Sequence, residues 1–202
     1  LYKKLRADFW EKKIDILVGT QLVIREEILK HMSLVGIVLA DGLLNLPDFR
    51  AGEYLFQLLV KIKRLMKQEG RLIIQTYNPT HYALEAVVRE EEDFYQKESE
   101  IRKDLGYPPY LHWARILLEG RTKTKVEEAA EALKKRLDGE RIEKMILTLS
   151  PFGKIKGKYR YHLVLKDENS SFIRQILEKL NPLLSGIRGV KGIVDVDPLR
   201  TM

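Results

Sequence analysis

The sequence predicts two bodies of different class in succession, an α/β part followed by an α+β part. Three observations carry this. Short, wholly apolar runs alternate with amphipathic helix patterns in residues 1–84, a charged helical stretch over 85–105 ends at two prolines, and the order strand, helix, strand, strand, helix, strand fills 106–202. A chain of 202 residues with 45% hydrophobic side chains has enough apolar material for real cores.

In the first part, LYKKLRADFWEKK sets Leu1, Leu5, Phe9 and Trp10 on one helical face, and IDILVG is a short apolar run closed by a glycine turn. SLVGIVLAD and GRLIIQTY are two further runs on either side of the helix EYLFQLLVKIKRLMKQEG, which Gly70 can close. Strands too apolar to have a wet face, separated by helices, predict a parallel sheet covered on both sides, half of a doubly wound domain. The next stretch, YALEAVVREEEDFYQKESEIRKDL, has too few apolar positions to bury much and reads as a connector. GYPP at 106–109 stops it, because proline neither continues a helix nor lets its predecessor do so. The predicted division is 1–84, 85–105 and 106–202.

In the last part, the strands LHWARILLEG, IEKMILTLSP, KYRYHLVLK and GVKGIVDVDP show period-two alternation, and TKVEEAAEALKKRLDG and SSFIRQILEKLNPLL repeat Ala and Leu at helical spacing. The order βαββαβ is the split βαβ of ferredoxin-like folds, a frame that hosts many functions.

Composition narrows the chemistry. There is no cysteine, which excludes disulfides, thiolate catalysis and Cys-ligated zinc within this chain. His31, His81, His112 and His162 are scattered without ligand spacing, so no metal is expected. No apolar run reaches the roughly 20 residues of a membrane span and nothing resembles a signal peptide, which makes the cytoplasm the expected compartment. The chain opens at Leu1 in mid-pattern, and is expected to be a fragment of something longer. Residues 1–96 carry 14 basic and 14 acidic side chains, so the whole net charge of +7 falls in 97–202. An excess confined to one half suggests a polyanion-binding module there; the alternative is a Lys- and Glu-rich surface of the thermophile kind, which 32% charged residues also fits.

The segments ILVGTQ, SLVGIVLAD, LNLPDFRAGE, LIIQTYNPTHYAL, FYQKESEIRKDLGYPPY, KGKYRYHLVLK and VDVDPLR, in this order, resemble the C-terminal part of the primosomal protein N′ (PriA) family, the bacterial replication-restart helicases. The resemblance covers essentially the whole chain. It implies that residues up to about 84 are the latter half of the second RecA-like helicase lobe, and that 106–202 are the family's C-terminal, S10-like domain. It also implies a first lobe, a DNA-end-binding domain and a Cys-rich zinc module upstream. ATP with Mg²⁺, and zinc, are therefore expected only if upstream domains carry the family motifs, and no cofactor is expected in this fragment.

Helicases of this kind hydrolyse ATP between two lobes, and an arginine from the second lobe is worth about 10³ to 10⁵ in rate. The resemblance implies that this machinery is eroded. Gly19, Thr20 and Gln21 are kept, but Arg25, Glu26, Glu27, Ile28 and Leu29 stand where the family has Lys, Gly, His, Asp and Phe. A glycine loop gives way to residues that favour helix. Further on the family reads Gln-Val-Ala-Gly-Arg-Ala-Gly-Arg, and this chain has Lys61, Ile62, Lys63, Arg64, Leu65, Met66, Lys67 and Gln68. Both arginine positions are lost, to Leu65 and Gln68. Arg64 is one residue off, which on a helix turns a side chain by about 100°.

In SPFGKIKGKYRYHLVLK, Lys154, Lys156, Lys158 and Arg160 recur at every second residue with Tyr159 and Tyr161 between them. An extended segment would put the four cations on one face to track phosphates, with Gly153 and Gly157 admitting close backbone approach and the tyrosines available to stack on bases. The alternative is that the tyrosines fill the core and the cations guard a strand edge. The resemblance further implies contact with the acidic tail of single-stranded-DNA-binding protein near Ser170 and Arg174, and with other primosome proteins. EIRKDLGYPPY, with Arg102 and Lys103, reads as a docking hinge. Three functions follow: a DNA-binding replication-restart factor for branched or single-stranded DNA with its helicase lobe kept as scaffold; a working ATP-dependent 3′-5′ DNA helicase; or a protein-interaction scaffold.

Overall fold

A computed structural model describes residues 7–89, 91–142 and 144–199. Two compact units form, one from the described parts of 1–40 and 57–77, the other from 41–56 and 78–202. This division runs differently from the boundaries at 84 and 105 expected from the sequence, because residues 41–56 group with the chain that follows residue 78.

In the first unit, residues 7–10 are helical, while Leu1 and Leu5 of the expected helix lie outside the described residues. Trp10 packs edge-on to His31, ring centroids 5.0 Å apart. IDILVG forms no strand: Ile16 and Val18 stand exposed, and no described segment offers the ladder that a strand needs. Thr20 caps a 3₁₀ turn over Gln21–Val23 through its hydroxyl, and helix α1 (Glu26–Leu29) follows. Strands β1 (Leu34–Ile37) and β2 (Arg71–Ile74) pair in parallel, Leu34 opposite Arg71. Leu29, Ile62 and Met66 form the core against Val35, Ile37, Leu58, Leu65 and Leu72. Among the described residues the sheet is not covered on both sides as expected. Its burial alternates along both strands, and Leu34 and Ile73 are 54% and 58% exposed, so only one face meets helix.

The second unit opens with helix α2 (Asp41–Leu44) and the beginning of α3 (Ala51–Leu65), which ends in the first unit. The stretch expected as one connecting helix is two, α4 (Tyr82–Val88) and α5 (Glu91–Asp104), parted where Arg89 leaves helical geometry. The Nδ1 of His81 caps α4 by accepting the Ala83 N–H at 3.2 Å. Nor does this stretch bury little: Phe94, at 1% exposure, stacks on Phe56 with centroids 3.9 Å apart.

The βαββαβ order read from the sequence forms as β3 (His112–Gly120), α6 (Lys123–Leu137), β4 (Lys144–Ile155), β5 (Lys158–Asp167), α7 (Ser170–Gly186) and β6 (Val190–Val196). The antiparallel sheet runs β4-β5-β3-β6. Ala114, Ile116 and Leu118 of β3 alternate inward with Leu163 and Leu165 of β5. Val126, Ala129, Ala130 and Leu133 of α6 and Ile173, Ile176 and Leu180 of α7 cover them, all buried. A smaller cluster, Leu111, Trp113 and Val164 with Phe49 and Tyr107, occupies the start of β3.

Candidate nucleic-acid interface

Strands β4 and β5 meet in a two-residue hairpin, Ile155 opposite Lys158. Lys156 and Gly157 both take positive φ, 48° and 78°, the type I′ turn whose twist matches that of the strands it joins. Gly157 is thus required by the turn, and Lys156 stands exposed at its tip rather than in line with its neighbours. Below the tip the ladder is irregular between Leu149 and Lys154.

The four cations of this segment have different surroundings. Lys154 is exposed and lays its Nζ over the Tyr159 ring, 4.8 Å from the centroid. Lys158 and Arg160 both donate to Glu119 of β3, at 2.7 and 3.1 Å. The antiparallel register places Glu119 opposite Arg160, and Glu119 is only 8% exposed. The Lys158 ammonium, and behind it the Arg160 guanidinium, hold its carboxyl below the usual carboxylate range. Tyr159 and Tyr161 are half-buried against the core, and the Tyr161 hydroxyl donates to Glu127 of α6 at 2.7 Å. On the sheet face away from the helices, burial, with Arg115 and Arg160 nearby, pushes the His162 imidazole down to about 4.

The positions of the motifs expected to be eroded lie in the first unit. Gly19, Thr20 and Gln21 are exposed, Thr20 as the cap already described. Lys61, Arg64 and Gln68 are exposed, and Arg64 and Gln68 border an open hollow of about 430 Å³ with Lys63 and Lys67. Leu65 instead packs on the Leu29, Ile62 and Met66 core. Ser170 and Arg174, one helical turn apart, are both exposed at the start of α7, where the Asn169 side chain accepts the Ser171 and Phe172 N–H groups. Among the described residues no cluster of His, Asp and Glu has the makings of a metal site, and no helix is long and apolar enough to cross a membrane.

Sequence reasoning missed a polar network that joins two of the quoted segments. Glu53 of LNLPDFRAGE accepts from Arg50 at 2.7 Å and from Arg102 of EIRKDLGYPPY at 2.8 Å. Arg102 also donates to Glu98, which accepts the Tyr82 hydroxyl at 2.6 Å. Burial, with the Glu98 carboxylate as acceptor, moves that phenol well above its ordinary range. The paired arginines, Arg50 foremost, hold the Glu53 carboxyl below its usual value. Beside this network Lys166, 3% exposed, places its Nζ 3.9 Å from the Trp113 ring centroid and 4.6 Å from that of Tyr107. The available signal was the presence of unlike charges in both segments.

With this geometry in place, residues 103–199 match the family model of the primosomal protein N C-terminal domain. These residues belong to that family. The match takes in the whole four-stranded sheet with both its helices. Similarity to replication restart proteins PriA extends over most of the chain: 34% identity over 186 residues to that of Bacillus subtilis, covering 89% of this chain and 23% of the relative. The Thermotoga maritima protein is 35% identical over 193 residues, 92% of this chain and 25% of the relative, and that of Synechocystis is 32% identical over 208 residues, 98% and 24%. The chain therefore spans about a quarter of the length of these curated relatives and corresponds to the C-terminal part of PriA.

Proposed function

We infer that this chain serves replication restart in the PriA manner by holding DNA through its second unit, with the RecA-like lobe remnant acting as scaffold rather than motor. The observation that carries the reading is the projecting hairpin: Lys154 and Lys156 are exposed beside the half-buried Lys158, in the half of the chain that holds the entire +7 excess. Phosphate contacts of this kind are electrostatic and independent of sequence. In this reading Lys158 and Arg160 share their charge between Glu119 and the DNA, and Tyr159 and Tyr161 stiffen the hairpin from the core side. Ser170 and Arg174 offer a polar edge to a protein partner, single-stranded-DNA-binding protein or another primosome component, in the cytoplasm.

The packing of Leu65 supports the loss of motor function, since a side chain that fills a core cannot neutralise a phosphoryl group. The alternatives, a working helicase and a pure interaction scaffold, predict ATP turnover in the intact protein and salt-insensitive behaviour respectively. The test is fluorescence anisotropy of the full chain with labelled single-stranded DNA over a salt series. The K154A/K156A pair should shallow the log–log slope by about 1.4, at roughly 0.7 per phosphate contact. Unchanged affinity and slope would remove the hairpin from the interface.

A further inference from the structure

We propose that strand β6 is a self-association edge, and that two copies of this chain pair along it antiparallel to form one continuous sheet. The proposal stands apart from the DNA-binding reading and uses none of the hairpin residues. In the order β4-β5-β3-β6, β6 is paired on one side only among the described residues. The other edge, β4, is broken by the irregularity between Leu149 and Lys154, whereas β6 keeps unbroken register with β3 from Val190 to Val196. Ile193, Val194 and Val196 stand exposed on β6, a run of β-branched apolar side chains of the kind that templates strand pairing.

The backbone is set for a partner strand. Asp197 donates its N–H to the Trp113 carbonyl at 2.7 Å, and in an antiparallel ladder the groups facing one neighbour recur at every second residue. Lys191, Ile193 and Asp195 therefore turn their N–H and C=O groups to β3, and Gly192, Val194 and Val196 turn theirs to the open edge. Centred on Ile193, a two-fold pairing sets Gly192 opposite Val194 and Val190 opposite Val196 as its hydrogen-bonded pairs. Ile193 opposite Ile193, and Lys191 opposite Asp195, are then the closer, non-hydrogen-bonded pairs, the latter occurring twice by symmetry. Moving the centre by one residue puts Ile193 opposite Lys191 or Asp195, and moving it by two puts Lys191 opposite Lys191 or Asp195 opposite Asp195. Only the register centred on Ile193 matches apolar with apolar and unlike charges together.

The charges that would guard this edge fail against a second copy. A lysine on an edge strand repels an incoming strand of its own kind, but Asp195 follows Lys191 by four residues, so reversing the strand brings each to the other. Both charges can take part. Among the described residues no carboxylate pairs with Lys191, and Asp195, which accepts from Arg115 at 2.9 Å, keeps its side chain 45% exposed. On the helix face Leu184 lies over Gly192, where a Cβ would come within 2.8 Å of it, and there it would meet Val194 of the second copy. The strand is roughly 23 Å long at about 3.3 Å per residue, so the interface is at the small end of specific contacts and the dimer is weak and concentration-dependent.

Sedimentation equilibrium of the full chain from micromolar to millimolar concentration tests this, with K191D, D195K, I193K and a mixture of K191D with D195K. The parent should populate a dimer, and each single variant, which sets like charges across the axis, should raise its dissociation constant at least about tenfold. K191D and D195K, complementary to each other, should recover association when mixed. Thermal melting of K191D and I193K at low concentration should match that of the parent. A parent that stays monomeric throughout overturns the proposal and leaves the edge to a strand of another protein or to solvent. A dimer that K191D and I193K leave intact, or a mixture that fails to associate although both its variants are folded, overturns it as well. If D195K does not fold without its Arg115 pair, K191D and I193K decide the matter.

Discussion

Acidification should begin to weaken this fold near pH 6.5, above the range in which most carboxylates titrate, and His162 is the main reason. The imidazole is 7% exposed, and its proton affinity is pushed from the ordinary 6.5 down to about 4, by burial first and then by Arg115 and Arg160. The folded chain keeps His162 neutral over the interval in which the unfolded chain protonates it. Unfolded molecules therefore bind more protons between about pH 6.5 and 4, and stability falls as pH falls through that window. At about 1.4 kcal/mol per pH unit the full loss is on the order of 3 kcal/mol. The depressed Glu53 and Glu119 carboxyls contribute stability that is present above the usual carboxylate pKa and lost below it, a window beginning near pH 4.5. His81, also lowered by burial, acts in the same direction as His162, so the measurement is a difference. Urea unfolding of the parent and His162→Leu between pH 7 and 4.5 should show the parent losing about 2 to 3 kcal/mol more than the variant. Parallel pH profiles, or an NMR titration of His162 centred near 6.5, would refute the reasoning.

Two further outcomes follow from packing. A Cβ at Gly52 would run into the Tyr82 hydroxyl that is bonded to Glu98, so Gly52→Ala should cost about 1 to 3 kcal/mol in urea unfolding and bring the phenol's titration back toward its ordinary range. Leu65→Arg would replace a residue packed on the Leu29, Ile62 and Met66 core with a cation, so a loss of about 1 to 3 kcal/mol is expected, with no ATP turnover gained. A stable, hydrolytic variant would mean that position 65 faces nucleotide.

What could be read from the chain alone was the part governed by local periodicity. The βαββαβ order emerged because inward Ala114, Ile116 and Leu118 alternate strictly and Val126, Ala129, Ala130 and Leu133 repeat at helical spacing. The parallel pairing of SLVGIVLAD with GRLIIQTY followed from apolar runs on either side of a helix. IDILVG carries the same local signal and forms no strand, because strand formation needs a neighbour that no local pattern supplies. The cation row failed to stay in line for two non-local reasons. Its centre is the type I′ turn at Lys156 and Gly157, and Glu119, which takes up Lys158 and Arg160, lies 39 and 41 residues away in sequence. The Glu53–Arg102 pair spans 49 residues, and charge composition cannot reveal that such groups meet.

The interrupted membership of the second unit limits how the chain can be dissected. Residues 57–77 are, in effect, an insertion between the two stretches that build that unit. A truncation starting at Tyr107 would retain all four strands of the antiparallel sheet, yet it would remove Phe49 from Trp113 and delete Glu53, Glu98 and Arg102 together. Such a fragment would expose the Trp113 ring to solvent and deprive the Tyr107–Trp113 corner of its cover. A cassette that preserves this unit as one continuous segment therefore begins at Asp41 and carries residues 57–77 with it.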